Sequence, residues 1–172
     1  MQTVAIVGAS GYIGRRVVDE FLRIGGYKIR VLVRSATQSL NWLDDKTDVD
    51  VFEGDLRAPE TLHKFLEYGC IVINLVYLWE GGEARNLEII TNLLEACKAA
   101  KIKRLVHCST AAVVGRVTDN LITENTTCRP ITEYGVTKLR LENLIIETSQ
   151  SNFWCCHFKA DFCFWSRGCA LK

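Results

Sequence analysis

Tyr134 and Lys138 stand four residues apart within residues 132–148, a stretch with helical periodicity, so both side chains lie on one helix face. An ammonium one turn from a phenol stabilises tyrosinate and lowers the phenol pKa toward neutral pH, which makes the pair an acid/base device. Upstream, residues 103–110 read as a strand ending in two hydroxyls, Ser109 and Thr110. Either could hydrogen-bond a substrate oxygen that exchanges its proton with Tyr134. Tyr-x-x-x-Lys also recurs on amphipathic helices that do no chemistry, so the rest of the chain must decide.

The apolar run Val4-Ala5-Ile6-Val7 leads into Gly8-Ala9-Ser10-Gly11-Tyr12-Ile13-Gly14. This is the pattern of a strand feeding a glycine-rich turn that opens a helix, which brings backbone N–H groups close to a pyrophosphate. The spacing is G-x-x-G-x-x-G, and turns of this kind also arise for packing alone. Ile13, Val17 and Phe21, with Val18 and Leu22 beside them, then form a helical stripe that ends at Gly25-Gly26. Residues 28–34 read as a second strand, which completes a β-α-β unit of the length a dinucleotide site requires. Where an acidic residue would bind the adenosine ribose, this chain carries Arg34, followed by Ser35. An arginine there favours a 2′-phosphate, hence NADP over NAD; the other reading is a solvated strand-end cation.

Val49-Asp50-Val51-Phe52-Glu53 alternates as a third strand closed by Gly54-Asp55-Leu56. Asp55 is read either as an acceptor for the adenine amino group or as the cap of the next turn. A helix over residues 59–68 follows, then the apolar run 70–78 expected of a buried parallel strand, then a helix over 83–100. His107, isolated inside the next strand, is read as a packed rather than a catalytic histidine. The alternation predicts an α/β, Rossmann-like, doubly wound and mostly parallel sheet with helices on both faces. With a nicotinamide cofactor in that fold, Tyr134, Lys138 and a strand-end hydroxyl would serve hydride transfer at the neighbouring carbon.

The totals narrow the function classes. The 172 residues hold one core, and 21 basic against 20 acidic side chains leave a net charge of +1, which offers no electrostatic case for nucleic acid or an anionic membrane. No apolar stretch reaches the roughly 18 residues of a membrane span, and the chain opens on a strand without a secretion signal, so a cytoplasmic location is expected. Cys70, Cys97, Cys108 and Cys128 are scattered singly and are expected as free thiols. Oligomeric state is not encoded in any pattern here.

In their order along the chain these motifs resemble the extended branch of the short-chain dehydrogenase/reductase superfamily, the nucleotide-sugar epimerases, dehydratases and related reductases. The resemblance covers residues 1–150. Besides the glycine turn and Gly54-Asp55-Leu56, it rests on Ile71-Val72-Ile73-Asn74-Leu75-Val76 and on Asn86 ahead of Asn92-Leu93-Leu94-Glu95-Ala96. Ser109-Thr110-Ala111-Ala112-Val113-Val114-Gly115 and Tyr134-Gly135-Val136-Thr137-Lys138 complete it. It implies Thr110 as the catalytic hydroxyl, Tyr134 as acid/base and Lys138 as the lysine that lowers its pKa and holds the nicotinamide ribose. It also implies Gly8, Ser10, Gly11, Tyr12, Ile13, Gly14, Arg34, Asp55, Leu56 and Val76 as cofactor-binding residues, with a small-molecule substrate and no metal. Asn74, where the family often has histidine, and Val114, where it often has tyrosine, depart from the pattern and point to an atypical substrate pocket. A non-catalytic, redox-sensing dinucleotide module is the alternative, and retention of Thr110, Tyr134 and Lys138 favours the enzyme.

Residues 151–172 read differently. They hold two of the four tryptophans and half of the eight cysteines, and the adjacent pair Cys155-Cys156 matches no usual zinc-ligand spacing. The resemblance implies a sixth strand, a Leu-Arg-Pro and a Phe-Gly-Pro here. Shifting the codons by one base turns both Trp154 and Trp165 into glycine and lets Cys155-Cys156-His157-Phe158-Lys159-Ala160 encode Val-Val-Ile-Leu-Arg-Pro. Cys163, Phe164 and Ser166 then permit Val, Phe and Pro. The expectation is an incomplete dinucleotide-binding domain over 1–150, followed by an out-of-frame, poorly structured tail that leaves the sheet open beyond the fifth strand and the chain inactive; the other reading is that this short, aromatic-rich segment adds a β-like run.

Overall fold

The strands at the middle of the sheet are short apolar runs, residues 4–7 ending at Gly8 and 71–73 at Asn74, whereas residues 49–53 alternate and end at Gly54. The structure, a computed structural model, describes residues 1–35, 42–43, 48–116, 122–123, 125–149, 153–159 and 164–165, with side chains through residue 156. The strands are β1 (Gln2–Val7), β2 (Tyr27–Val33), β3 (Val49–Glu53), β4 (Ile71–Asn74), β5 (Arg104–Ser109), β6 (Trp154–Lys159) and β7 (Phe164–Trp165). The helices are α1 (Tyr12–Ile24), α2 (Pro59–Phe65), α3 (Gly82–Ala99) and α4 (Glu133–Ser149). The polar stretch 37–47 falls mostly outside the described residues.

The sheet runs β3-β2-β1-β4-β5-β6-β7, parallel except for the β6–β7 pair. Chain order reverses between β1 and β4, and in such sheets a crevice opens there beyond the carboxyl ends of the strands. Val18 of α1 packs with Val4, Ile6 and Val31 in one apolar cluster. Leu62 and Phe65 of α2, Ile90 and Leu94 of α3, and Leu141 and Ile145 of α4 pack with Ala5, Val7, Val72 and Leu105 in the other. Alternate residues of one strand serve opposite clusters, so helices cover both faces as expected of a doubly wound sheet.

Two sequence expectations need correction. The apolar run 70–78 is longer than its strand: β4 stops at Asn74, whose Oδ1 accepts from the Val76 N–H at 3.0 Å and turns the chain out of the sheet. The sheet does not end at β5 either. β6, from the segment expected to be poorly structured, pairs in parallel from Arg104↔Trp154 to Ser109↔Lys159. Ladder pairing uses backbone groups, and Trp154–Lys159 contains neither proline nor glycine to interrupt it. Phe153 and Cys156 are buried, and Ser149 Oγ meets Cys155 Sγ at 3.0 Å, which ties the new strand to the end of α4.

A charged cluster closes the amino-terminal edge of the sheet. Arg30 is only 6% exposed; it donates to Glu67 and to the Lys64 carbonyl, and its guanidinium lies 4.1 Å from the Phe52 ring centroid. Lys28 Nζ and Thr3 Oγ1 donate to the same Glu67 carboxylate at 2.8 and 2.9 Å. The Lys28 hydrogen bond in particular holds the Glu67 carboxyl below its usual range. Glu67→Gln leaves the buried Arg30 charge without its carboxylate and is expected to cost about 2 kcal/mol in urea unfolding near neutral pH. Because the folded pKa is lowered, the wild-type advantage is complete above the ordinary carboxylate range and fades as pH falls through the lowered value.

Candidate functional site

The glycine turn joins β1 to α1, and two of its glycines are required by geometry. Gly8 has φ +83°, and a Cβ there would stand 3.1 Å from the Leu75 carbonyl carbon. A Cβ on Gly14 would run into the Gly8 carbonyl oxygen and stand 2.6 Å from Ala9 Cα. Helix α1 can therefore approach the turn only if residue 14 is glycine, and this brings the first helical N–H groups to the crevice. Gly11 is the N-cap, and its N–H donates to the Gly8 carbonyl at 3.2 Å.

A cavity of about 630 Å³ opens at this crevice. Gly8, Ser10 and Gly11 line it, as do Arg34, Asp55, Leu56 and Val76 from the ends of the neighbouring strands. Among the sequence-predicted cofactor residues, Tyr12, Ile13, Gly14 and Lys138 do not line it. Tyr12 is 75% exposed with Arg16 over its ring, Ile13 is exposed beside it, and Gly14 is buried behind the turn. The cradle, the crevice and the strand-end cation fit a dinucleotide.

Arg34 is exposed at the end of β2. Asp55 does what its capping reading required: its carboxylate accepts from the Arg57 backbone N–H at 2.8 Å and from that guanidinium at 3.1 and 2.7 Å. Those side-chain bonds to Arg57 are the main reason the Asp55 carboxyl titrates below its usual range. Asp55 still lines the cavity, as does Arg57, a residue the sequence reading did not single out.

Ser109 and Thr110 follow one another at the end of β5, and the structure separates their tasks. The Ser109 hydroxyl donates to the buried carboxylate of Glu142 on α4, whereas the Thr110 oxygen accepts from the Ala112 N–H at 3.2 Å and caps a short 3-10 turn over Ala111–Val113. Lys138 is 3% exposed, and its Nζ donates to the Cys108 carbonyl at 2.6 Å, which pins α4 to the end of β5. Burial pushes the Lys138 pKa down; Cys108 and Glu142 push it the other way. Half-buried Tyr134 contacts two rings of the β4–α3 connection: Tyr77 edge-on at 4.8 Å and Trp79 stacked at 5.1 Å. Tyr77 and Trp79 both line the cavity; Thr110, Tyr134 and Lys138 do not, and Tyr134 reaches its edge only through those two rings.

A model of the NAD dependent epimerase/dehydratase family matches residues 4–157, which takes in the turn, the strand ends and α4 together. The chain belongs to that family. It is 30% identical over 154 residues to the UDP-glucose 4-epimerase of Streptomyces lividans, covering 81% of this chain and 45% of that protein. Among solved structures, the UDP-Glc/GlcNAc 4-epimerase from Campylobacter jejuni superposes with a TM-score of 0.77 at 23% identity, over 92% of this chain and 53% of that one. The Thermus thermophilus UDP-glucose 4-epimerase, solved as a complex with NAD, gives 0.76 at 25% identity over 92% and 54%. The family member described here spans about half the length of the curated relatives it matches.

The structure places both departures noted in the sequence, and Asn74 has a side-chain role there while nothing in the contacts explains the valine at 114. Asn74 is fully buried; with Oδ1 held by Val76, its amide Nδ2 donates to His107 Nδ1 at 2.9 Å. It joins β4 to β5 beneath the site instead of facing a substrate, and His107 is the packed histidine expected. Val114 is 5% exposed and holds the Arg129 N–H through its carbonyl at 3.0 Å. Glu142, Tyr77 and Trp79 were missed. Glu142 stands one turn beyond Lys138, which is the one sequence signal that could have found it.

Proposed function

We propose that this chain is the dinucleotide-binding part of an extended short-chain dehydrogenase that moves hydride between a nicotinamide cofactor and an alcohol or carbonyl carbon, a nucleotide-sugar carbon included. The observation that carries the reading is the tie between Lys138 Nζ and the Cys108 carbonyl, which holds the Tyr134 helix against the strand end bearing Thr110. Tyr134 then gives or takes the substrate's hydroxyl proton, the Lys138 ammonium stabilises the tyrosinate form, and Thr110 orients the same substrate oxygen. When bound, the dinucleotide supplies the hydride donor or acceptor. Gly8, Ser10 and Gly11 hold its phosphates, and Asp55 with Leu56 lies beside the adenine.

Arg34 directs the preference to NADP by charge-assisted bonding to a 2′-phosphate. Isothermal titration of this chain is expected to give a dissociation constant about tenfold lower for NADPH than for NADH, and Arg34→Ala is expected to erase the difference. Tighter binding of NADH by the wild type refutes the preference.

The segment after Phe153 is, in the same proposal, a shifted reading frame. Restoring the alternate frame is expected to yield carbonyl reduction that the 172-residue form lacks. Turnover by the 172-residue form, or a locus with no Leu-Arg-Pro continuation in any frame, contradicts this part. Binding without turnover in both forms favours the sensor.

A further inference from the structure

Helix α4 carries two opposite charges into the interior. Among the described residues only three arginine, lysine or acidic side chains are buried: Arg30 in the Glu67 cluster, and Lys138 and Glu142, 3% and 5% exposed. Lys138 and Glu142 stand one helical turn apart on the face that α4 turns to the sheet, with the fully buried Leu141 and Ile145 beside them. Each is held by the end of β5, at neighbouring residues. Lys138 Nζ donates to the Cys108 carbonyl at 2.6 Å, and the hydroxyl of Ser109, itself 3% exposed, donates to a carboxylate oxygen of Glu142.

A carbonyl gives the ammonium a dipole but no counter-charge. It replaces only part of the hydration that a buried cation loses, so burial favours the neutral amine. Residues one turn apart have Cβ atoms about 5–6 Å from each other, close enough for a carboxylate to act on the ammonium through a low dielectric. A hydroxyl that donates to that carboxylate favours its ionised form. Accordingly, burial pushes the Lys138 pKa down, while Cys108 and Glu142 push it up.

The other groups packed around Lys138 do not take the place of Glu142. Tyr134 lies one turn before it, and the Tyr77 ring centroid is 5.5 Å from Nζ. His107, on the Ser109 side of β5, is bonded to Asn74. Arg140 of α4 pairs with Glu83 of α3, which directs that carboxylate away from the lysine. Glu142 is the buried carboxylate on the lysine's own face.

We propose that Glu142 is a positioning residue for the Tyr134/Lys138 pair: anchored by Ser109, its carboxylate is the counter-charge that keeps the Lys138 side chain an ammonium bonded to the Cys108 carbonyl. This rests on the dehydrogenase reading above and adds two residues to it. Of the two strand-end hydroxyls, Ser109 then serves the carboxylate and leaves Thr110 to the substrate oxygen.

The test is an NMR titration of the 172-residue chain labelled with carbon-13, following the Lys138 Cε signal, assigned by its disappearance in Lys138→Arg. Glu142→Gln is expected to lower the Lys138 midpoint by about one pH unit, and Glu142→Asp, which keeps the charge on a shorter arm, to recover most of that fall. An unchanged or raised midpoint in Glu142→Gln overturns the proposal. So does an equal fall in Glu142→Asp, because packing rather than charge would then act on the lysine. The wild-type Glu142 Cδ signal gives a reading that does not depend on how either variant folds: it is expected to report a carboxylate at neutral pH, and a carboxylic acid there overturns the proposal. NADPH affinity of the same wild-type sample is a separate result, whose absence strikes the dehydrogenase reading and leaves the Lys138 titration standing.

Discussion

In the frame-restored protein, Tyr134→Phe is expected to lower turnover by about 10²- to 10⁴-fold while dinucleotide affinity is retained. The variant removes one oxygen from a ring held by Tyr77 and Trp79, so the ring's place is kept and the proton route is lost. Rate and binding are measured on the same preparation, and equal losses in both would mean the phenol acts in binding alone. The pH profile carries a second signature. Burial lowers the Lys138 pKa, so the ammonium is lost at lower pH than from an ordinary lysine, and the alkaline limb of turnover is expected to fall below the usual lysine range of about 10.4. Lys138→Arg is expected to move that limb upward, since guanidinium stays charged throughout.

Gly14→Ala is the second large effect, and it acts on the other half of the site. Alanine is the better helix former, which by propensity alone would stabilise α1 by about 1 kcal/mol. Its Cβ, however, meets the Gly8 carbonyl oxygen and Ala9 Cα, both backbone atoms that cannot rotate away. Helix and turn must separate, with an expected net cost of about 2–4 kcal/mol in chemical denaturation. Dinucleotide binding is expected to be lost with the turn's geometry. A Gly14→Ala chain that kept both stability and affinity would show that α1 does not need this close approach.

The parts of this fold legible in the sequence were those set by backbone and periodicity. Gly8 and Gly14 could be read because only glycine tolerates a positive φ or so close a crossing, and Val17, Val18 and Phe21 because a helix repeats every 3.6 residues, whereas Ile13, read into the same stripe, is exposed. Tyr134 and Lys138 were readable as a pair because four residues make about one helical turn. Less legible were the features set by tertiary contact. The apolar run through Leu78 looked like one long strand, since nothing local shows that Asn74 would bond Val76 and end it. Trp79 was invisible as a site residue for the same reason: its meaning comes from Tyr134, 55 positions away.

The tail shows the limit most clearly. Its codons pointed to a shifted frame, and from that the sheet was expected to stop at β5. Strand pairing depends first on backbone hydrogen bonds and on an apolar inward face. Phe153 and Cys156 supply enough of that face for Trp154–Lys159 to occupy the sixth position. An unusual residue composition therefore changed the chemistry of this edge without preventing the strand.

The central claim, that the glycine turn, the strand ends and the Tyr134 helix serve one bound dinucleotide, is tested most directly by hydrogen exchange on the 172-residue chain with and without NADPH. Slowed exchange is expected together at residues 8–14, 54–57 and 75–79, the segments that border one cavity, and at the start of α4. Unchanged exchange at the glycine turn in the presence of saturating NADPH would contradict it.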